Sequence, residues 1–114
     1  MAYMLKVSLV VVGVLVTAGV ASAQSQAHFE QGQKIFATQK CSICHSIAGQ
    51  GNKKGALEGV GSKLSTDEIR QWITHAPDMA AKAKAERKPA MKAFASLPKE
   101  DLDALVAYLQ SLKK

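Results

Sequence analysis

Cysteine occurs only twice in the 114 residues, proline three times, and aromatic residues make up 5%. The two cysteines, Cys41 and Cys44, stand two residues apart. A bridge between them would close a tiny loop and constrain little of the unfolded chain, so a disulfide framework is excluded. No stretch alternates β-branched and polar side chains, so no strand is predicted. No internal repeat occurs, which excludes a solenoid. At this length the chain has room for one domain, which excludes a two-domain enzyme. No paired carboxylates and no nucleophile–base set stand out, so the chain is not expected to be an enzyme. Acidic residues are also few, nine against 15 basic ones, for a formal charge of +6.

The one long uncharged run lies at the start, which excludes a polytopic membrane protein. Lys6 precedes Val7–Val20, and Ala21-Ser22-Ala23 follows before polar Gln24. This is the order of a secretory signal peptide, with cleavage expected after Ala23. The competing reading is an uncleaved anchor, since the run is at the short limit for crossing a bilayer. Cleavage leaves a domain of residues 24–114, exported to the periplasm and not inserted in the membrane, with one positive charge fewer. Its aromatic residues are Phe29, Phe36, Trp72, Phe94 and Tyr108. So small a chain has a marginal core, and a bound group would supply what it lacks.

The periodicity predicts three main helices. The first spans Gln26–Gln39, with Phe29, Gly32 and Phe36 on one face and Ile35 beside them. Gly32 costs about 1 kcal/mol relative to alanine inside a helix, which suggests a close crossing there. Residues 50–55 read as a turn-rich loop. Ser65 reads as the N-cap of the second helix, with Glu68 completing a capping box. Ile69, Trp72 and Ile73 form its buried stripe, and Pro77 ends it. Residues 78–88 can sustain a helix but have little to bury, and Pro89 ends them. The third helix begins near Pro98 and buries Leu102, Leu105, Val106, Leu109 and Leu112.

One short run carries chemistry: Cys41-Ser42-Ile43-Cys44-His45. Cys-x-x-Cys-His is the attachment signature of c-type haem. Two thiols at this spacing can each add to one vinyl group, and the adjacent imidazole can supply a nitrogen to iron. Three other readings compete. A redox dithiol needs a βαβ context. A structural zinc site needs four ligands, and adjacent Cys44 and His45 suit a tetrahedron poorly. A plain disulfide is the third.

With these features the chain resembles the small single-haem class I c-type cytochromes of bacteria. Gly32 and Phe36 match that family's glycine–aromatic pair on the first helix. Leu105 and Tyr108 match the partner face of its last helix, and Lys88-Pro89-Ala90-Met91 matches the loop carrying its axial methionine. The resemblance implies an all-α fold of three main helices and loops wrapped around one covalently attached haem c. It also implies thioether bonds at Cys41 and Cys44, with His45 and Met91 as the two axial ligands of the iron. Met79 and His75 are the other candidates for the second axial position. A thioether ligand beside histidine raises the reduction potential.

Two departures from the family pattern stand out. In Gly55-Ala56-Leu57-Glu58-Gly59, Ala56 replaces a frequent proline, and its carbonyl is expected to accept the ring N–H of His45. Lys92 follows Met91 where the family often has proline. Trp72 is read as packing of the second helix, its indole N–H being a candidate donor to a haem propionate. His28 and His75 are read as surface residues.

Lys82, Lys84, Arg87, Lys88 and Lys92 surround Met91 in sequence, and Lys53 and Lys54 lie in the other loop. Either they are a solvated face, or they form a positive rim that steers acidic redox partners. Nucleic acid is not expected, because no reader motif occurs. The leading expectation is a monomeric one-electron carrier. The alternatives are an open-site haem sensor or enzyme, and an electron-donating subunit of a larger oxidoreductase.

Overall fold

The computed structural model describes residues 11, 13 and 18–114, with side chains described at those first two positions and from residue 25 onward. The expected leader, residues 1–23, lies largely outside them. Among the described residues five α-helices follow in order: α1 (Ala18–Thr38), α2 (Val60–Lys63), α3 (Thr66–Thr74), α4 (Ala76–Ala83) and α5 (Lys99–Gln110). Among the described residues, no helix is long and apolar enough to cross a membrane. The helical fold matches the expectation, with α1, α3 and α5 as the three main helices.

Helix α1 starts eight residues before the predicted Gln26. The stretch ahead of Gln26 holds alanine and glutamine and no proline, so nothing in it stops a helix. Gly32 lies where α1 crosses α5. A Cβ at Gly32 would overlap the Ala104 carbonyl and the Cβ of Tyr108. Phe29 and Phe36 meet the Tyr108 ring edge to face, with centroids 5.1 and 6.2 Å away. Phe36, Ile69, Ile73, Leu105, Val106, Tyr108 and Leu109 form the core. Leu102 and Leu112, predicted for the buried stripe of α5, are half-buried at its two ends.

Helix α3 begins as predicted. Ser65 Oγ accepts from the Glu68 N–H, and Glu68 Oε1 accepts from the Ser65 N–H, both at 3.1 Å. Ser65→Ala therefore lowers stability by about 1 kcal/mol, read as a shift in denaturation midpoint. A second helix follows α3 directly. Pro77 sits in the first turn of α4, where its missing N–H costs nothing. Helix α4 stops at Lys84, in the left-handed region at φ 52°, well before Pro89. Asp103 on α5 holds Arg70 of α3 at 2.8 Å and Lys99 at 2.6 Å. Lys99 first, then Arg70, keeps its carboxyl below the usual carboxylate range. The link is thus intact at neutral pH and weakens as acid protonates Asp103.

The expectation of no strands is corrected. Ser46–Ile47 (β1) and Gln50–Gly51 (β2) pair antiparallel, Ser46 opposite Gly51 and Ile47 opposite Gln50. Two-residue strands are too short to show alternation. The turn between them, Ala48-Gly49, has φ of 53° and 77°, a left-handed geometry that suits the twist of a hairpin.

Candidate functional site

Lys40 leaves α1 in the left-handed region, at φ 58°, and sends the chain into a tight turn over Cys41–Ile43. The amides of Cys44 and His45 both bond the Cys41 carbonyl, at 3.1 and 2.9 Å. Cys41 and Cys44 are half-buried free thiols. Ile43 between them is 65% exposed. Burial is the main cause that raises the Cys41 thiol above its ordinary value.

The hairpin clamps this turn. The Asn52 amide bonds the carbonyls of Ser42 and His45, at 3.0 and 3.2 Å. Its side-chain Nδ2 donates to the Ile43 carbonyl at 3.1 Å, and its Oδ1 accepts from the Lys54 amide at 3.0 Å. Gly51, at φ 105°, lies against the same carbonyls, and a Cβ there would strike His45 O.

His45 Nδ1 lies 2.9 Å from the Gly55 carbonyl. A carbonyl only accepts, so Nδ1 carries the proton and Nε2 keeps its lone pair. The partner is Gly55, not the expected Ala56. Leu57 N–H bonds Ser46 O at 2.9 Å, and that docking sets the Gly55 carbonyl against the ring. Burial above all pulls the imidazole pKa down. The Gly55 bond opposes this, and the charge of Arg87 adds to it. A neutral ring with a free Nε2 is the form that ligates a metal.

Met91 is half-buried on the irregular segment between α4 and α5. Arg87 Nη2 of the same segment donates to the Cys44 carbonyl at 2.5 Å. Lys92 lies close enough to Cys41 for its charge to act on the thiol, and its Nζ sits 5.0 Å over the Phe94 ring. The Phe94 N–H bonds Ile73 O at 2.8 Å, pinning the end of the segment to α3. Met79 is half-buried on α4. His75 is exposed, with Nδ1 2.7 Å from Thr74 Oγ1, whereas His28 is half-buried, not the expected surface residue. Trp72 is half-buried, and among the described residues its indole N–H bonds no protein acceptor. Lys53, Lys54, Lys82, Lys84, Arg87, Lys88 and Lys92 are all exposed.

Asn52 and Arg87 are site residues that sequence reasoning passed over as loop and charge. No local pattern marks either, since each acts through backbone carbonyls.

The donor set fits haem. Two free thiols on one turn precede an imidazole whose outer nitrogen is unprotonated, and a methionine-bearing segment lies near. It fits zinc poorly, because among the described residues no three His, Cys, Asp or Glu side chains gather as a metal cluster. A thioredoxin-like dithiol lacks its βαβ frame.

The cytochrome c family profile matches residues 29–113. Cytochrome c oxidase subunit 2 of Alkalihalophilus pseudofirmus is 27% identical over 92 residues, covering 73% of this chain and 25% of that protein. The chain thus spans about a quarter of that relative's length. No solved structure matches the chain.

Proposed function

The chain belongs to the cytochrome c family, and from that premise we propose that it is a periplasmic one-electron carrier rather than an enzyme. Haem c with its iron is the family's cofactor and electron transfer its chemistry. When bound, haem c supplies a reversible Fe(III)/Fe(II) couple. Cys41 and Cys44 would hold it by thioether bonds, the S–H of each adding across one vinyl group. His45 Nε2 and the Met91 sulfur would hold the iron. The observation that carries this reading is the 2.9 Å contact of His45 Nδ1 with the Gly55 carbonyl, which assigns the proton to Nδ1 and leaves Nε2 as the electron-pair donor. An iron held by both residues would leave no place for a substrate, and a carrier needs none.

Visible spectra of the purified protein, oxidised and reduced, with and without carbon monoxide, test the proposal. Colour that survives acid–acetone extraction, with slow or no carbon monoxide binding, supports it. Fast binding to the native protein would instead indicate an open-site sensor or enzyme.

The exposed lysines and Arg87 favour acidic partners. Electron-transfer complexes have small interfaces, and long-range attraction governs their encounter. Raising salt from about 10 mM to about 100 mM shortens the screening length from roughly 30 to 10 Å. The rate of transfer to an acidic redox protein should therefore fall severalfold over that range in stopped-flow measurements. A flat profile would reduce the cationic rim to a solubility device.

A second reading is favoured by the similarity to an oxidase subunit: an electron-donating subunit of a larger oxidoreductase. Co-purification with partner polypeptides distinguishes it from a free monomeric carrier.

A further inference from the structure

We propose that Arg87 is a positioning residue that latches the Met91-bearing segment onto the cysteine–histidine turn. The inference rests on the haem reading above.

Residues 81–90 are all exposed, and regular structure stops at Lys84. Between Ala85 and Phe94, the bond from Arg87 to the Cys44 carbonyl is the one hydrogen bond to the rest of the protein among the described residues. It joins positions 43 residues apart. The guanidinium also lies over Gly55. A Cβ there would overlap Arg87 Nη1 and Cζ as well as the Cys44 carbonyl. One planar group thus rests on the residue that precedes His45 and on the residue whose carbonyl orients the His45 ring. An arginine suits this, because its rigid fork spreads donors in a plane, whereas a lysine offers a point charge on a flexible stem.

The segment has little else to hold it. Apolar burial at 81–90 is absent, so the cost of opening it is low. Removing the Arg87 bond should raise the frequency of opening by the worth of a charge-assisted hydrogen bond, roughly 10–100-fold. Each opening exposes the iron face that Met91 covers, and an external ligand can enter only then.

The test uses the ferric holoprotein and measures cyanide and imidazole binding rates, the far-red absorbance band of an iron–methionine bond, and the denaturation midpoint. Arg87→Gln should keep the band without added ligand and bind both ligands roughly 10–100-fold faster. Arg87→Lys should lie between it and the wild type. Lys88→Gln, which removes a neighbouring exposed cation, should accelerate the binding of neither ligand. At a pH well above the imidazole pKa that ligand is neutral and loss of a cation can only slow the cyanide anion, so acceleration of both cannot arise from charge alone.

Wild-type rates in Arg87→Gln would overturn the latch. So would equal acceleration in Lys88→Gln, or a midpoint loss large enough to explain the change by global unfolding. If Met91→Ala loses the band while Arg87→Gln binds at the wild-type rate, only the latch falls. If Met91→Ala keeps the band, both the ligand assignment and the latch fall.

Discussion

Met91→Ala will abolish the far-red band, let carbon monoxide bind the reduced protein rapidly, and lower the reduction potential by about a few tenths of a volt. The size follows from the ligand. A thioether sulfur favours Fe(II), and axial-ligand identity spans roughly 0.8 V among haem proteins. The choice of Met91 over Met79 follows from where each sits. Met79 belongs to helix α4, which packs beside α3. Met91 lies between Arg87 and Lys92, the two residues of its segment that reach the cysteine turn. Met79→Ala should accordingly leave the band, the carbon monoxide kinetics and the potential close to those of the wild type. The reverse pattern, with the band lost in Met79→Ala and kept in Met91→Ala, would move the ligand to α4. Absence of the band already in the wild type would point to a nitrogen ligand, with His75 the first to test.

Gly32→Val will destabilise the folded holoprotein by about 3 kcal/mol or more, read from the denaturation midpoint. Overpacking a core costs roughly 1–3 kcal/mol where side chains can give way. Here the first obstacle is the Ala104 carbonyl of helix α5, a backbone atom, followed by the Cβ of Tyr108. Neither retreats unless α1 lifts off α5. Lifting it also parts Phe29 and Phe36 from Tyr108, whose rings meet them at 5.1 and 6.2 Å. Edge-to-face pairs add roughly 0.5–1.5 kcal/mol each beyond their area. Against a total stability of about 5–15 kcal/mol, the loss is large for a domain of this size. Gly32→Ala should lose less but still measurably, because even one carbon overlaps the carbonyl. A midpoint unchanged in Gly32→Val would mean that the two helices do not cross at this residue.

What the sequence disclosed and what it withheld divide along a physical line. The Ser65–Glu68 box was legible because both partners lie within one turn and each side chain bonds a neighbouring amide. Gly32 was legible because glycine inside an apolar stripe carries a cost that demands a reason. The cysteine–histidine run was legible because its chemistry depends on spacing alone. The sequence points to the Ala56 carbonyl for His45, one residue beyond the Gly55 carbonyl that meets the ring. Every residue carries a carbonyl, and only the route of the backbone decides which one meets the ring. The contact of Arg87 with Cys44 spans 43 residues and ends on a carbonyl, so nothing in composition marks it. The hairpin of Ser46–Gly51 is shorter than any pattern can show. No capping box marks Ala18 as a helix start, so the sequence discloses only the part of α1 from Gln26 onward, where the apolar face begins.

The clamp by Asn52, Gly51 and Gly55 draws almost wholly on a contiguous stretch, positions 40–57. Contacts so near in sequence close fast and need no distant partner. The seat for the pigment is therefore written in one short length of chain, whereas the crossing of α1 with α5 joins helices from opposite ends of the domain.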